Sequence, residues 1–214
     1  MPPSPSLLAR CAPLLPVSGC PHVAMHQSAD VFALWQAWEA ECGALRDVPY
    51  WAIVWPAAQV LSQYLTANQS LVTGRSVLDC GCGGGMTAIT AAASGARRAI
   101  GCDLDASAVA VAQQNAAANR VAAEFICQDV IDCCDPQTFE VILVADLFYQ
   151  RELSLGLMAA LTSAHAHGCE VIIADSGRPF LPKDPLREIY CQTVPTSFDV
   201  EGCRSRTVRL YKLR

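Results

Sequence analysis

The sequence predicts an α/β domain built around an open, mostly parallel sheet, and three observations lead to this prediction. From residue 76 onward, short apolar runs of strand length alternate with segments of helical length, as in open parallel sheets. The length of 214 residues suits one domain with a substantial core. A composition of 52% hydrophobic and 16% charged residues fits central strands that are buried on both faces.

The segment before the alternating region is predicted to form an N-terminal helical extension over residues 1–48. Six prolines fall within residues 2–21, and because proline removes a backbone donor and resists helix, we expect an extended arm there. From Asp30 to Cys42, apolar residues recur at steps of three and four, which predicts a helix that ends near Gly43.

The main domain is predicted to begin at residue 49 and to extend to residue 214. Pro56 follows an aromatic segment and suits the first turn of a helix. Two β-rich segments near the C-terminus have no helix between them, and we expect them to pair as an antiparallel end of the sheet. Strands are predicted at 76–79, 98–103, 124–127, 141–146, 170–175, 190–194 and 207–213, with helices at 86–93, 106–119 and 152–165.

Charge and apolar patterning narrow the classes of partner. A net charge of −5 and a pI near 5.3 argue against a broad nucleic-acid-binding surface. No apolar run approaches the ~20 residues that a membrane-spanning helix requires. We therefore expect no nucleic-acid or membrane partner, and we take the protein to be a monomer.

The sequence contains twelve cysteines, which we expect to be reduced because no signal-peptide core precedes them. Cys80 and Cys82 are separated by one residue, and Cys133 and Cys134 are adjacent. Neither spacing is that of a zinc site, so no metal is predicted.

Acidic residues stand where the predicted strands end, and ligands of an open parallel sheet bind beyond those ends. Asp79 precedes a loop whose glycines permit positive φ and a close backbone approach to a ligand. Asp103 ends the second strand, at the position of a carboxylate that accepts hydrogen bonds from ribose hydroxyls. Asp129 and Asp146 follow the third and fourth strands.

Both dinucleotide enzymes and methyltransferases use a glycine loop of this kind, and a tight strand-helix turn is the purely structural alternative. Met86 stands where the dinucleotide fingerprint requires a small residue for close helix packing. A carboxylate at Asp79, two residues before the first glycine, suits a cationic amino group better than a pyrophosphate. Both details disfavour a dehydrogenase.

The motif Asp79-x-Gly81-x-Gly83-x-Gly85 resembles the first motif of class I S-adenosylmethionine-dependent methyltransferases, and Asp103 resembles their ribose-binding acid. The resemblance extends over about residues 50 to 214. It implies a Rossmann-like, seven-stranded sheet that is mostly parallel, with its last strand antiparallel.

Within that superfamily, three segments together are similar to the lysine methyltransferases of the electron-transfer flavoprotein β subunit. They are residues 49–56, 144–149 and 175–179. Asp146 and Tyr149 match the Asp-x-x-Tyr signature of these enzymes, which implies catalytic roles beside an acceptor lysine. Residues implied to bind S-adenosylmethionine are Trp55, Asp79, Gly81, Gly83, Gly85, Asp103, Asp129, Val130 and Ala145.

The resemblance implies a protein-lysine methyltransferase that acts on the electron-transfer flavoprotein β subunit, in the cytoplasm or alternatively in the mitochondrial matrix. Two alternatives stay open, because substrate choice lies in loops. One is a class I methyltransferase for another protein, such as a ribosomal protein, or for a small molecule. The other is a cofactor-binding module without catalysis. Trp55 has an alternative role as a core anchor for the N-terminal helix.

Overall fold

Helices and strands alternate along residues 1–214 of the computed structural model. None of its helices combines the length and the apolar character needed to cross a bilayer. All twelve cysteines are free. The helices are α1 (Pro5–Cys11), α2 (Val31–Cys42), α3 (Pro56–Ala67), α4 (Met86–Ala93), α5 (Ala106–Asn119), α6 (Val130–Cys133), α7 (Arg151–Ala166) and α8 (Phe198–Glu201). The strands are β1 (Leu14–Val17), β2 (Cys20–His26), β3 (Ser76–Cys80), β4 (Arg98–Asp103), β5 (Ala123–Cys127), β6 (Val141–Ala145), β7 (Glu170–Asp175), β8 (Leu186–Pro195) and β9 (Ser205–Leu213).

Seven strands form one sheet in the order β5-β4-β3-β6-β7-β9-β8. The first five of these are parallel to one another, and β9 runs antiparallel between β7 and β8. This arrangement confirms the predicted seven-stranded sheet with an antiparallel last strand. The central strand β3 is buried along its whole length, as its apolar sequence predicts.

The predicted bounds of β4, β7, α4 and α5 coincide with those of the structure. The largest difference among the strands is β8, which begins at Leu186, four residues before the predicted start. Its early residues pair with the end of β9, Leu186 lying opposite Leu213. Long-range pairing therefore extends the strand beyond the segment that its local composition marks.

The predicted extended arm was wrong, because the first 26 residues form a helix followed by a hairpin of β1 and β2. Ser4 caps α1 by accepting a hydrogen bond from Leu7 N at 3.1 Å, and Pro5 occupies the first turn, where its missing N–H is not needed. Leu7 and Leu8 are buried against Trp51 and its neighbours. Burial of these leucines stabilises a helix in a segment whose many prolines had indicated an extended arm.

The hairpin is held against α5 by two asparagines. Asn119 Oδ1 accepts from Ala24 N at 2.8 Å, and Asn115 Oδ1 accepts from His26 N at 2.9 Å. Asn115 Nδ2 also donates to Gly84 O at 2.9 Å. A buried amide thus connects the N-terminal hairpin to the glycine loop.

Candidate functional site

A cavity of about 430 Å³ opens at the carboxyl ends of the parallel strands. Strand ends supply its acids, the glycine loop supplies backbone, and the segment before α3 supplies aromatic rings. Eight of the eleven predicted site residues line it: Trp55, Asp79, Gly81, Gly83, Asp103, Ala145, Asp146 and Tyr149.

The other three predicted residues do not line the cavity. A Cβ at Gly85 would lie 2.7 Å from the Phe125 ring, so this glycine allows α4 to pack against β5. Asp129 caps α6 by accepting from Ile131 N at 2.9 Å. Val130 is buried in the core. The cofactor roles of these three residues stay predictions without support from the cavity.

Asp79 lies at the base of the cavity, almost fully buried. Its Oδ2 accepts from Ala88 N at 3.0 Å, which ties the end of β3 to α4. Burial raises the pKa of this carboxyl well above its usual range. A cationic group placed beside it would offset that desolvation and favour the carboxylate.

The glycine loop between Asp79 and α4 is shaped by close contacts. Gly81 has φ of +64°, and a Cβ there would lie 2.5 Å from the Leu147 side chain. Gly84 lines the cavity although it was not predicted to, and a Cβ there would lie 2.7 Å from Trp51 O. The loop therefore presents backbone, and no side chain fits at these two positions.

Asp103 holds the glycine loop and the next turn with its two oxygens. Its Oδ2 accepts from Gly83 N at 2.8 Å, and its Oδ1 accepts from Asp105 N at 3.0 Å. Burial raises the pKa of this carboxyl. Each oxygen retains acceptor capacity, since a carboxylate offers about four lone-pair sites.

Asp146 stands at the end of β6 with φ of +56°, in the left-handed region that a non-glycine residue seldom adopts. Its Oδ1 accepts from Ser176 N at 2.9 Å, from Ser176 Oγ at 2.7 Å and from Arg178 Nε at 3.0 Å. Its Oδ2 accepts only from Ala57 N, at 3.1 Å. Oδ1 is therefore saturated, whereas Oδ2 has room for one more donor.

Arg178 is the main site residue that sequence reasoning missed. Its guanidinium donates from Nε to Asp146 and from Nη2 to Glu201 at 2.7 Å, and it lies 5.2 Å from the centre of the Trp55 ring. Burial alone would lower the pKa of Arg178, but the attraction and hydrogen bonds of the two acids raise it overall. The signal was that a buried acid such as Asp146 requires a partner.

Aromatic rings form one wall of the cavity. Trp55 Nε1 donates to Tyr50 O at 3.2 Å, and the two rings lie 5.9 Å apart. Tyr149 is half exposed at the mouth, and its partial burial raises the pKa of its hydroxyl. The core-anchor role considered for Trp55 belongs to Trp51, which is buried and packs edge-on against Trp38 at 6.0 Å.

Carboxyl groups outnumber cationic side chains around this cavity, and such a lining favours a cationic ligand. His26 and Arg178 are the basic residues of the lining. The acidic ones are Asp47, Asp79, Asp103, Asp105 and Asp146.

Comparison with known proteins finds similarity to methyltransferases. The family model described as ribosomal protein L11 methyltransferase (PrmA) matches residues 59–160. The electron transfer flavoprotein beta subunit lysine methyltransferase of Danio rerio is 39% identical over 131 residues, which cover 61% of this chain and 51% of that protein. The Homo sapiens protein of the same name is 37% identical over 133 residues, with 61% and 50% covered. The chain therefore spans about half the length of these relatives.

A second group of sequence relatives carries the name of the matching family model, and solved structures share the fold of this chain. The ribosomal protein L11 methyltransferase of Geobacter metallireducens is 38% identical over 110 residues, which cover 51% of this chain and 35% of that protein. The magnesium protoporphyrin IX methyltransferase of Synechocystis, solved with bound S-adenosylhomocysteine, superposes with a TM-score of 0.54 at 18% identity. That superposition covers 86% of this chain and 95% of the other, and it establishes the fold.

Proposed function

We infer that this chain, which has the class I methyltransferase fold and resembles the electron-transfer flavoprotein β-subunit lysine methyltransferases, transfers a methyl group from S-adenosylmethionine to a protein lysine. One observation carries the proposal. Asp146 is fixed at the rim of an acid-lined cavity with a single acceptor site left on Oδ2, beside Tyr149 and Trp55. Such a group accepts one N–H of an amine and leaves the nitrogen lone pair for reaction.

The residues at the base of the cavity fit S-adenosylmethionine. The buried carboxylate of Asp79 suits its amino group, and the bare backbone at Gly81 and Gly83 allows close approach. Asp103 has acceptor capacity for ribose hydroxyls. When bound, the cofactor supplies an electrophilic methyl group on a sulfonium.

The remaining chemistry is alignment and desolvation. A free lysine has a pKa near ~10.4, so it is mostly an ammonium at neutral pH and must lose a proton before it can attack. Asp146 and Tyr149 orient the nitrogen for in-line displacement, and the aromatic wall limits water around it. The proton leaves to solvent through the mouth of the cavity, where Tyr149 is exposed.

The electron-transfer flavoprotein β subunit is the substrate that we propose, on the strength of the similarity to enzymes named for it. We propose the cytoplasm as the compartment, with the mitochondrial matrix as the alternative.

The first test is transfer of labelled methyl from S-adenosylmethionine to recombinant electron-transfer flavoprotein β subunit, followed by mass spectrometry of its lysines. Asp146→Asn should slow transfer by about 10²–10³-fold, because it removes the charge and the free acceptor together. Asp132→Asn changes an exposed acid and is the matched control. Full activity of Asp146→Asn would refute the assigned role.

Ribosomal protein L11 is the second candidate substrate, because the matching family model and the Geobacter relative carry that name. The same assay with purified L11 separates the two. Label on L11 and none on the flavoprotein subunit would favour this alternative and leave the role of Asp146 intact.

A further inference from the structure

Arg178 connects the candidate acceptor site to the edge of the sheet. It donates to Asp146 at one end and to both oxygens of Glu201 at the other, at 3.3 and 2.7 Å. Its side chain is 16% exposed, and it lines the cavity beside Trp55. A cation held this firmly next to the proposed lysine site affects the charge state of that lysine.

We propose, on the basis of the proposed function, that Arg178 is a positioning residue that balances the charge of Asp146, so that the acceptor lysine reacts as a neutral amine. The argument begins with Asp146, whose side chain is 3% exposed. Without a cationic partner, a buried carboxylate beside the acceptor would stabilise the ammonium form. An opposite charge within about 4–6 Å shifts a pKa by about 1–3 units, and for this lysine the shift would be upward.

With Arg178 in place, Asp146 still accepts a hydrogen bond but adds little net charge. Arg178 remains a cation over the whole assay range, because its two acids raise its pKa from an already high value. It also saturates Oδ1 of Asp146, together with Ser176. The free site on Oδ2 is thereby given a fixed direction.

Other charged groups that face Arg178 are themselves paired or constant above neutral pH. Glu201 is shared with Arg206, whose Nε donates to it at 2.9 Å. Asp175 accepts from the backbone N–H of Arg178 at 2.8 Å, and its pKa is raised to about 6 by burial, so it is ionised above pH 7.5. Burial raises the pKa of the Tyr149 hydroxyl above its ordinary value near ~10. The titration expected between pH 7 and 10 is therefore that of the acceptor amine.

The test is a pH profile of methyl transfer to the flavoprotein β subunit under single-turnover conditions with saturating cofactor. For Arg178→Gln we expect the midpoint to move up by about one unit, which makes transfer about tenfold slower at pH 7.5 and restores much of it near pH 10. Arg178→Lys keeps the cation and should keep a midpoint near that of the wild type, even with a lower maximal rate.

Arg206→Gln is the matched control, because it removes a cation from the same Glu201 but does not touch Asp146. Its midpoint should equal that of the wild type. Thermal unfolding and S-adenosylhomocysteine binding of each variant show whether it is folded. A parallel loss of rate for Arg178→Gln at every pH would mean a structural role only and would overturn the proposal.

A less basic acceptor identifies the titrating group. The mapped lysine is replaced by an aminoethylated cysteine, and the midpoints of the wild type and Arg178→Gln should then both move to lower pH. An unchanged midpoint in Arg178→Gln would show that the acceptor amine is not the titrating group and would contradict the proposal. If the wild type labels a lysine of neither the flavoprotein subunit nor L11, the proposed function fails. If it labels a lysine but the wild type and Arg178→Gln share one pH midpoint, the proposed function stands and this inference alone fails.

Discussion

Asp175 carries a buried oxygen without a hydrogen-bond partner. Its Oδ1 accepts from Gly177 N and Arg178 N at 2.7 and 2.8 Å, whereas Oδ2 is buried and unpaired. Burial, the largest cause, raises its pKa to about 6, above the value near ~3.9 of an unfolded chain. The folded state therefore binds this proton more tightly, and the stability that it confers below about pH 4 is lost as pH rises through about 6.

The pH dependence of stability tests this reading of Asp175. A shift of about two units corresponds to about 2–3 kcal/mol of unfolding free energy lost between about pH 4 and pH 7.5. When measured by urea unfolding, the unfolding free energy of Asp175→Asn should not show this loss over the same pH range. That of Asp132→Asn, which changes an exposed acid, should show it. Parallel curves for the wild type and Asp175→Asn would show that Asp175 does not titrate near pH 6.

Which site residues could be predicted from sequence follows from their place on the chain. Asp79, Asp103 and Asp146 end parallel strands, and such ends meet at one edge of a sheet, so their convergence on one cavity was predictable. Arg178 lies in the turn after β7, and its contacts with Glu201 depend on how the β8–β9 connection folds back. No spacing rule gives that contact.

At the scale of elements, the strands of the sheet could be predicted from the sequence, whereas the N-terminal hairpin could not. The buried strands are recognisable in the sequence as apolar runs, because both faces of a buried parallel strand must be apolar. The hairpin of β1 and β2 is not recognisable in this way, since its partners Asn115 and Asn119 lie about ninety residues away in sequence. The expectation of an extended arm, which rested on the prolines, fails for α1 because Pro5 lies in the first turn of the helix, where proline is tolerated.

Asn115 should be the main attachment of that hairpin. The variant Asn115→Ala leaves His26 N and Gly84 O without their partner inside the protein, which costs about 2–3 kcal/mol of unfolding free energy. Gln113→Ala changes an exposed residue of the same helix and should stay within about 0.5 kcal/mol of the wild type. Urea unfolding measures both. Equal stability of the two variants would mean that Asn119 and apolar contacts hold the hairpin without a contribution from Asn115.

For the whole molecule, the sheet and the N-terminal hairpin enclose the cavity together. Met25 and His26 of β2 line it opposite the strand ends. The family model matches residues 59–160 and includes neither of these residues, nor the aromatic segment before α3. The part of the cavity that lies outside the matched segment is therefore where this chain has room to differ from the proteins of that family model in the ligand or substrate that it accepts.

Ligand-induced stabilisation tests the whole site at once, without knowledge of the acceptor. S-adenosylhomocysteine at 100 times its Kd should add about 2.7 kcal/mol to the folded state. For a chain of this size, that gain raises Tm by about 5–10 °C in a thermal scan. Asp103→Ala should reduce the rise at the same ligand concentration, because the ribose hydroxyls lose their acceptor. A rise produced by NAD and not by S-adenosylhomocysteine would instead support a dehydrogenase, since only a ligand that binds the native state raises its Tm.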